Sequence, residues 1–389
     1  MKLAERIARL IAAQGPISVA QFMTMALHDP ESGVYASRDP IGTRGDFTTA
    51  PEVSQIFGEL LGLWAVQCWL DQGRPVRAHL AEFGPGRGTL MADALRAAKI
   101  VPEFLDAIEV VLIESSPTLR AIQRERLSSF THPPHPALSP NGGESESSNS
   151  SLAPAGGEGR GEGAFVKWLD RFDESLSDRP LFLIANEFFD ALPVRQYVHT
   201  PKGWCERMVT VTGGKLAFAL APFPQAGLSI PQTRGEAEDG AVFETSPAST
   251  ALAEEIGEVI ARVGGAALIV DYGYAGSGFG ETLQAVSRHL FAHILDAPGE
   301  ADLSAHVDFA ALAEAATHAG AVAHGPIDQC ALLKALGIDA RAAALRRANP
   351  AEADSIAAAV ARLCGADKMG SLFKALAITP QHAPKPPGF

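Results

Sequence analysis

From residue 76 onward the chain alternates short apolar runs with helical segments, and this alternation restricts the fold more than any other feature. Strands are expected over 77–83, 109–113, 181–185 and 266–270, with helices over 89–98 and 117–127. Strand, helix and strand in succession make a crossover unit. Repeated units make a parallel sheet with helices packed on it. The predicted class is therefore α/β.

Other segments frame this core. The first 75 residues read as helical. Ser18-Val19-Ala20-Gln21 is a capping-box pattern for a short helix that stops near Pro30. Thr49-Ala50-Pro51-Glu52 is a second one, expected to open a long helix through Ile56, Leu60, Leu63, Trp64 and Leu70. A Gly-rich loop, 42–49, joins the two. Residues 194–220 break the alternation with three strand-like runs and a Gly213-Gly214 turn, an antiparallel meander inserted beside the core. Residues 328–389 return to helix and close on a final strand. The stretch 132–163 is nearly all Pro, Gly, Ser and Glu. It offers too little apolar area to offset its ordering entropy, so it is expected to be a flexible surface insertion. The expected organisation is 1–75 helical, 76–327 core and 328–389 C-terminal.

Composition narrows the functions. With 389 residues and 47% hydrophobic content the chain can build a core and is not a disordered protein. A formal charge of -13, without a basic block, argues against nucleic acid and favours a cationic substrate such as a basic protein segment. Cys68, Cys205, Cys330 and Cys364 lie far apart with no C-x-x-C pair. They read as reduced thiols, and the cytoplasm is the expected compartment. The N-terminus has an amphipathic pattern without a signal-peptide core. No apolar run approaches 18 residues, so no membrane span is expected.

The chemistry gathers where strands end. Ala81-Glu82-Phe83-Gly84-Pro85-Gly86-Arg87-Gly88-Thr89 runs from an apolar strand through a glycine turn into a helix. Glycines allow backbone to approach a ligand, and the helix start supplies free N–H groups. The spacing is G-x-G-x-G, with Thr89 where a dinucleotide fingerprint needs its third glycine. A tight turn or another nucleotide site would carry the same glycines. Glu114 ends a second strand, where a carboxylate can accept both hydroxyls of a ribose or cap the helix near Ser116. Asn186, Glu187 and Asp190 emerge beyond 181–185, able to orient a cationic nucleophile or to cap one helical turn. Asp271-Tyr272-Gly273 could serve packing or a site. Asp46 and Thr48 sit in the 42–49 loop, either a solvated connection or a lid over a cofactor. The 298–309 segment mixes acids with His306 but lacks metal-ligand repetition. His306 reads as a capping or core histidine, and no metal is expected.

The G-x-G-x-G turn with its preceding acid resembles motif I of class I methyltransferases. Together with GDFTTAPEVSQIFGELLGLW, LIESSPTLR, ANEFFDALPVRQY, IVDYG, ETLQAVSRH, PGEADLSAHVDF and MGSLFKALAI, it makes the chain similar to the MidA-like family. That family includes a mitochondrial arginine methyltransferase serving assembly of respiratory complex I. The resemblance implies a Rossmann-like class I methyltransferase core, S-adenosylmethionine as cofactor and protein arginine as acceptor, with a subunit of the NADH dehydrogenase as one target. By position it implies that Glu82, Gly84, Gly86, Gly88 and Glu114 contact cofactor, Glu82 at the amino group and Glu114 at the ribose. Asp46 and Thr48 are expected in the same pocket.

Methyl transfer to a guanidinium is an in-line displacement that needs proximity and alignment. The acceptor's pKa lies above about 12, so carboxylates must grip its fork and polarise one nitrogen. Glu187 is expected in that role, with Asp190 and Asn186 assisting. A nicotinamide-dependent oxidoreductase is the alternative that the missing glycine disfavours. A cofactor-binding assembly chaperone without catalysis would use the same binding residues.

Overall fold

The computed structural model describes residues 1–37, 42, 48–130, 165–228, 230, 237–276 and 278–389. The 132–163 insertion and Asp46 lie outside them. The central sheet, numbered along the chain, comprises β1 (Ala78–Phe83), β2 (Ile108–Ile113), β3 (Phe165–Leu169), β4 (Leu181–Asn186), β5 (Gly265–Tyr274), β6 (Val322–Asp328) and β7 (Phe373–Thr379). Their spatial order is β3-β2-β1-β4-β5-β7-β6, with the short strand Val307–Asp308 paired to the end of β5. β7 runs antiparallel to β5 and β6, and the other paired neighbours are parallel. The fold is thus α/β as expected.

Order reverses between β1 and β4, which opens a crevice at the carboxyl ends of the strands. Register brings the predicted acids there together. Phe83 pairs with Ile113 and with Ala185, so Gly84, Glu114 and Asn186 leave the sheet at one level. Val270 pairs with Asn186, which sets Asp271 beside Glu187.

The two faces of the sheet bury separate cores. Leu80, Val110, Leu112, Phe182 and Ile184 face the helices Gln55–Asp71 and Thr89–Ala98, whereas Ala81, Val111, Leu183 and Ile269 face Pro247–Val263 and Phe309–His318. Gly62 lets the first pair of helices meet closely, since a Cβ there would stand 2.4 Å from the Ala94 Cα. A third core joins helices Leu3–Gln14 and Val19–His28 to the strands around Val209 and Leu303. The meander is observed as Arg195–Thr200, Gly203–Thr212 and Lys215–Leu220, in a sheet shared with Ile17–Ser18 and Val242–Thr245. Among the described residues no helix is long and apolar enough to cross a membrane.

The Ser18 capping box forms in full. The one expected at Thr49 does not. Ala50–Val53 and Gln55–Asp71 are separate helices, and Ser54 Oγ accepts the Ile56 N–H at 3.3 Å to start the second. Glu52, the intended box partner, instead accepts from Thr89 Oγ1 at 2.5 Å. A tertiary hydroxyl has displaced the local bond, tying the N-terminal segment to the glycine turn.

Candidate functional site

A cavity of about 850 Å³ occupies the crevice, within the size range of small-molecule and cofactor sites. Its floor is the glycine turn. Gly84, Gly86 and Gly88 have φ of 53°, 53° and 74°, in the left-handed region that other residues avoid. The turn is anchored on three sides. Gly84 N–H donates to the Ile113 carbonyl at 3.1 Å, Gly88 N–H to the Pro85 carbonyl at 2.7 Å, and Gln123 Nε2 to the Gly86 carbonyl at 2.7 Å. Phe188 stacks on Phe83 at 4.9 Å between ring centroids and lies where a Cβ on Gly84 would fall 2.8 Å away.

Glu82 is 3% exposed, and its Oε2 has no hydrogen-bond partner among the described residues. Burial, with the Glu114 charge adding, pushes its pKa to about 8, and the Met91 N–H opposes. Asn186 Oδ1 is likewise buried without a partner there. Both residues line the same cavity. Unsatisfied buried acceptors of this kind are costly unless a ligand brings donors. A cationic amino-acid moiety carries the N–H donors that fit them.

Glu114 also lines the cavity, 8% exposed. Its Oε1 accepts the Ser116 N–H at 2.7 Å and its Oε2 meets Gln123 Nε2 at 3.3 Å. The local-turn role is therefore present together with the position at the cavity wall. Burial raises its pKa, opposed by the Ser116 and Gln123 hydrogen bonds.

Glu187 has φ 50° without being glycine, a conformation costing on the order of 1–3 kcal/mol unless its surroundings impose it. They do. Its N–H donates to the Val270 carbonyl at 2.9 Å. Asp271 Oδ2, fully buried, accepts the N–H groups of Phe188, Phe189 and Asp190 at 3.1, 2.9 and 3.2 Å. Asp271 is thus the carboxylate that fixes this turn. The Glu187 side chain accepts the Ala50 N–H at 2.7 Å and Asn186 Nδ2 at 3.2 Å. Burial carries its pKa to about 7, with Ala50 opposing and the Asp190 charge adding.

Asp190 does not line the large cavity. It lines a second one of about 320 Å³, which shares Tyr35 and Glu187 with the first. Burial pushes Asp190 to about 6, against hydrogen bonds from Tyr272 and the backbone. Thr48 is not among the described residues lining either cavity. Its carbonyl accepts from Arg362 at 3.4 Å, and its neighbour Thr49 reaches the wall instead. His306, expected to be a capping or core residue, stands half-buried in the second cavity, edge-on to Tyr272 at 5.4 Å. Asp308 is the cap, accepting the Ala311 N–H at 3.1 Å. Sequence reasoning gave Tyr35 no role and gave Glu52 only a capping role, and both line the large cavity. Tyr272, in the Asp271-Tyr272-Gly273 stretch open between packing and a site, and Asp302, in the acidic 298–309 segment, both line the second cavity.

Comparison with known proteins places this geometry. Residues 60–327 match the family Methyltransf_28, whose description is S-adenosyl-L-methionine-dependent methyltransferase. The rat protein arginine methyltransferase NDUFAF7, mitochondrial, is 37% identical over 383 residues, covering 96% of this chain and 83% of that protein. The human protein of that name is 37% identical over 387 residues, and the Drosophila melanogaster homolog 33% over 395. A crystal structure from Burkholderia thailandensis with bound S-adenosyl-homocysteine superimposes with a TM-score of 0.79 at 30% identity, over 97% of this chain and 91% of that one. The rat and human relatives correct the cytoplasmic placement expected from the thiols, because they are mitochondrial proteins. Free cysteines mark a reducing environment and do not separate one such compartment from another. The oxidoreductase alternative also falls. The chain belongs to the Methyltransf_28 family and is an S-adenosylmethionine-dependent methyltransferase.

Proposed function

We propose that the chain transfers a methyl group to a guanidinium nitrogen of arginine in a protein, with a subunit of the NADH dehydrogenase as the first acceptor to test. The observation that carries this reading is the place of Glu187, on the wall shared by the cofactor-sized cavity and a smaller acidic one. The relatives named as arginine methyltransferases support the acceptor class. S-adenosylmethionine, when bound, supplies a methyl group on a sulfonium. The chain's own residues hold and align. Glu82 and Asn186 receive the amino-acid end, the Gly84–Gly86–Gly88 turn offers its backbone, and Glu114 takes the ribose hydroxyls. Glu187, Asn186 and Asp190 face the acceptor, where a carboxylate can grip a guanidinium fork in two parallel bonds. The proton lost from nitrogen can leave after methylation, so no residue must deprotonate free arginine.

Transfer of radiolabelled methyl groups to a lysate from a deletion strain tests this directly. Methylarginine in the hydrolysed product is the expected result. Label recovered only in methyllysine or in small molecules would overturn the acceptor, and no transfer would leave a binding protein.

Two binding predictions follow from the carboxylates. Glu114→Ala should weaken cofactor affinity about tenfold or more, since charge-assisted bonds contribute roughly 1.5–3 kcal/mol each. A deoxyribose analogue should lose affinity in the wild type but little further in the variant. Equal discrimination by both proteins would reduce Glu114 to its Ser116 turn.

Glu82 links affinity to pH. Its pKa is raised to about 8 in the free protein, so at pH 7 it is mostly protonated. An ammonium beside it favours the charged form, so binding expels the proton. Affinity for S-adenosylhomocysteine should therefore rise with pH between 6 and 8, by up to about tenfold per unit. Glu82→Gln should flatten that rise. A flat titration of the wild type would remove Glu82 from the ammonium.

A further inference from the structure

One wall of the second cavity is a face of a three-stranded antiparallel sheet, built from Gln284–Ser287, Leu290–Ala292 and Asp302–Ser304. Val286 pairs with Phe291 on one side and Asp302 on the other, and Gln284 pairs with Ser304. Paired residues point to the same face, and alternate residues along a strand share it. All five of these line the cavity. Leu290–Ala292 is an edge strand, and among the described residues no strand pairs with its outer side.

The turn decides what that edge offers. Arg288 and His289 have φ of 51° and 63°, so a two-residue turn of the I′ kind closes the hairpin. In such a hairpin Ser287 and Leu290 exchange the first backbone hydrogen bonds, and the next pair, Val286 and Phe291, exchanges none. The N–H and C=O of Phe291 therefore point outward, where an added strand would take them.

The edge is also apolar and bare. Residues 288–293 are exposed without a break, Leu290 at 72% and Phe291 at 81%. Exposed edges are commonly blunted by lysine or proline, whereas this one reads Leu-Phe-Ala. Leu372, at the end of the short helix Met369–Leu372, is 47% exposed and lines the same cavity. The mouth thus opens between two apolar side chains from separate elements. The interior is of another character. Glu187, Asp190 and Asp302 line it, with no lysine or arginine among the described residues there, and Glu187 also borders the cofactor-sized cavity.

We infer that the acceptor protein docks by strand addition: an extended segment pairs antiparallel with Leu290–Ala292 and places the residue to be methylated opposite Phe291. That residue continues the row Phe291–Val286–Asp302 and so points its side chain to the cavity face. Backbone pairing holds the segment whatever its sequence. The Phe291 ring lies beside the entering cation, and the acidic interior favours positive charge at that one position. The docking mode rests on the arginine reading for what enters the cavity, and adds to it the surface and the conformation of the partner.

The probe is a capped heptapeptide with a central arginine flanked on each side by valine, threonine and valine. Two backbone analogues carry an N-methyl group, one on the arginine nitrogen and one on the nitrogen of the following valine. Radiolabelled methyl transfer to each is measured with the full-length wild type, Phe291→Pro and Phe291→Ala, with S-adenosylhomocysteine affinity and melting temperature as checks of fold. The wild type should methylate the parent peptide. Blocking the arginine N–H, which faces Phe291, should lower kcat/KM roughly tenfold or more, and blocking the valine N–H, which faces away, by no more than about threefold. Phe291→Pro should cost roughly tenfold or more, because it removes an outward N–H while leaving the pairing with Gln284–Ser287 intact. Phe291→Ala, which loses only the ring, should cost about threefold. If Phe291→Pro does not fold, the two peptide analogues decide the matter in the wild type. Equal sensitivity to the two N-methyl groups overturns the inference, as does equal activity of folded Phe291→Pro and Phe291→Ala. No transfer to the parent peptide, while a lysate yields methylarginine, overturns the docking and leaves the arginine reading standing. If a central lysine is methylated in place of arginine with the same alternation, the docking stands and the arginine reading falls.

Discussion

Glu187→Gln is expected to lower methyl transfer by roughly 100-fold or more while leaving cofactor affinity within a few-fold, the scale of losing one positioned electrostatic or acid–base group. Glutamine is close in shape. Its carbonyl can still accept the Ala50 N–H that Oε1 now accepts at 2.7 Å, so the turn should survive. What disappears is a charge at the boundary of the two cavities. Burial raises the Glu187 pKa from 4.5 to about 7, so the free protein holds a proton there over part of the neutral range. A cationic acceptor needs the carboxylate. Acceptor kcat/KM should therefore climb with pH through a limb near 7, and the Gln variant should lack that limb. The stability sign is opposite. Because the folded-state pKa lies above the unfolded one, ionising Glu187 costs folding free energy, and the loss accrues as pH rises from about 4.5 to 7. The Gln variant should then be no less stable than the wild type at pH 7, and a lower melting temperature would point to a structural role. Asp190→Asn should cost less activity, because its backbone already serves the turn through Asp271 and through the Ala305 N–H. Loss of cofactor affinity with Glu187→Gln would move this residue into the cofactor shell, and full activity would remove it from the mechanism.

The parallel core was legible because each of its buried strands carries a local signal. Leu181–Asn186 and Ile108–Ile113 are apolar runs bounded by turns, and the glycine spacing after Phe83 can be read in nine residues. The acids at strand ends were legible for the same reason, since strand order alone decides which edge they share. The second cavity was not. Tyr35 and Asp302 are 267 residues apart and meet only through tertiary packing. Thr49 misled for a related reason. The pattern Thr-Ala-Pro-Glu is a sound capping box by local chemistry, but Glu52 found Thr89, and Ser54 took over the helix start. Asp271 shows the limit from another side. A carboxylate at the end of a strand looks the same in sequence whether it faces a ligand or, as here, three backbone N–H groups of a neighbouring turn.

Gly86→Val should abolish detectable S-adenosylmethionine binding in a protein that still folds. Gly86 has φ 53°, where a β-branched side chain is most strained, so the turn must either change its path or hold a bulky group in the left-handed region. Either outcome disturbs more than one contact. The Gly86 carbonyl accepts Gln123 Nε2, the same nitrogen lies 3.3 Å from Glu114 Oε2, and Gln123 Oε1 accepts from Trp168 Nε1 at 2.9 Å. Moving Gly86 thus moves the group that hydrogen-bonds Glu114. The fold has less at stake. The turn is a connection at the crevice, and the strands and helices beside it are held by the two cores. Gly213→Val is the control. Gly213 has φ 57° in the meander hairpin, where an added Cβ meets nothing within 4 Å. It should suffer comparable backbone strain, on the order of 1–3 kcal/mol, at a distance from both cavities. Calorimetry with S-adenosylhomocysteine should show no measurable heat of binding for Gly86→Val and wild-type affinity for Gly213→Val, with melting temperatures lowered in both. Retained affinity in a folded Gly86→Val would show that the glycine turn is only a turn. Lost affinity in Gly213→Val would show that strain anywhere in this chain is enough to empty the crevice, and the effect at Gly86 would then say nothing about where the cofactor lies.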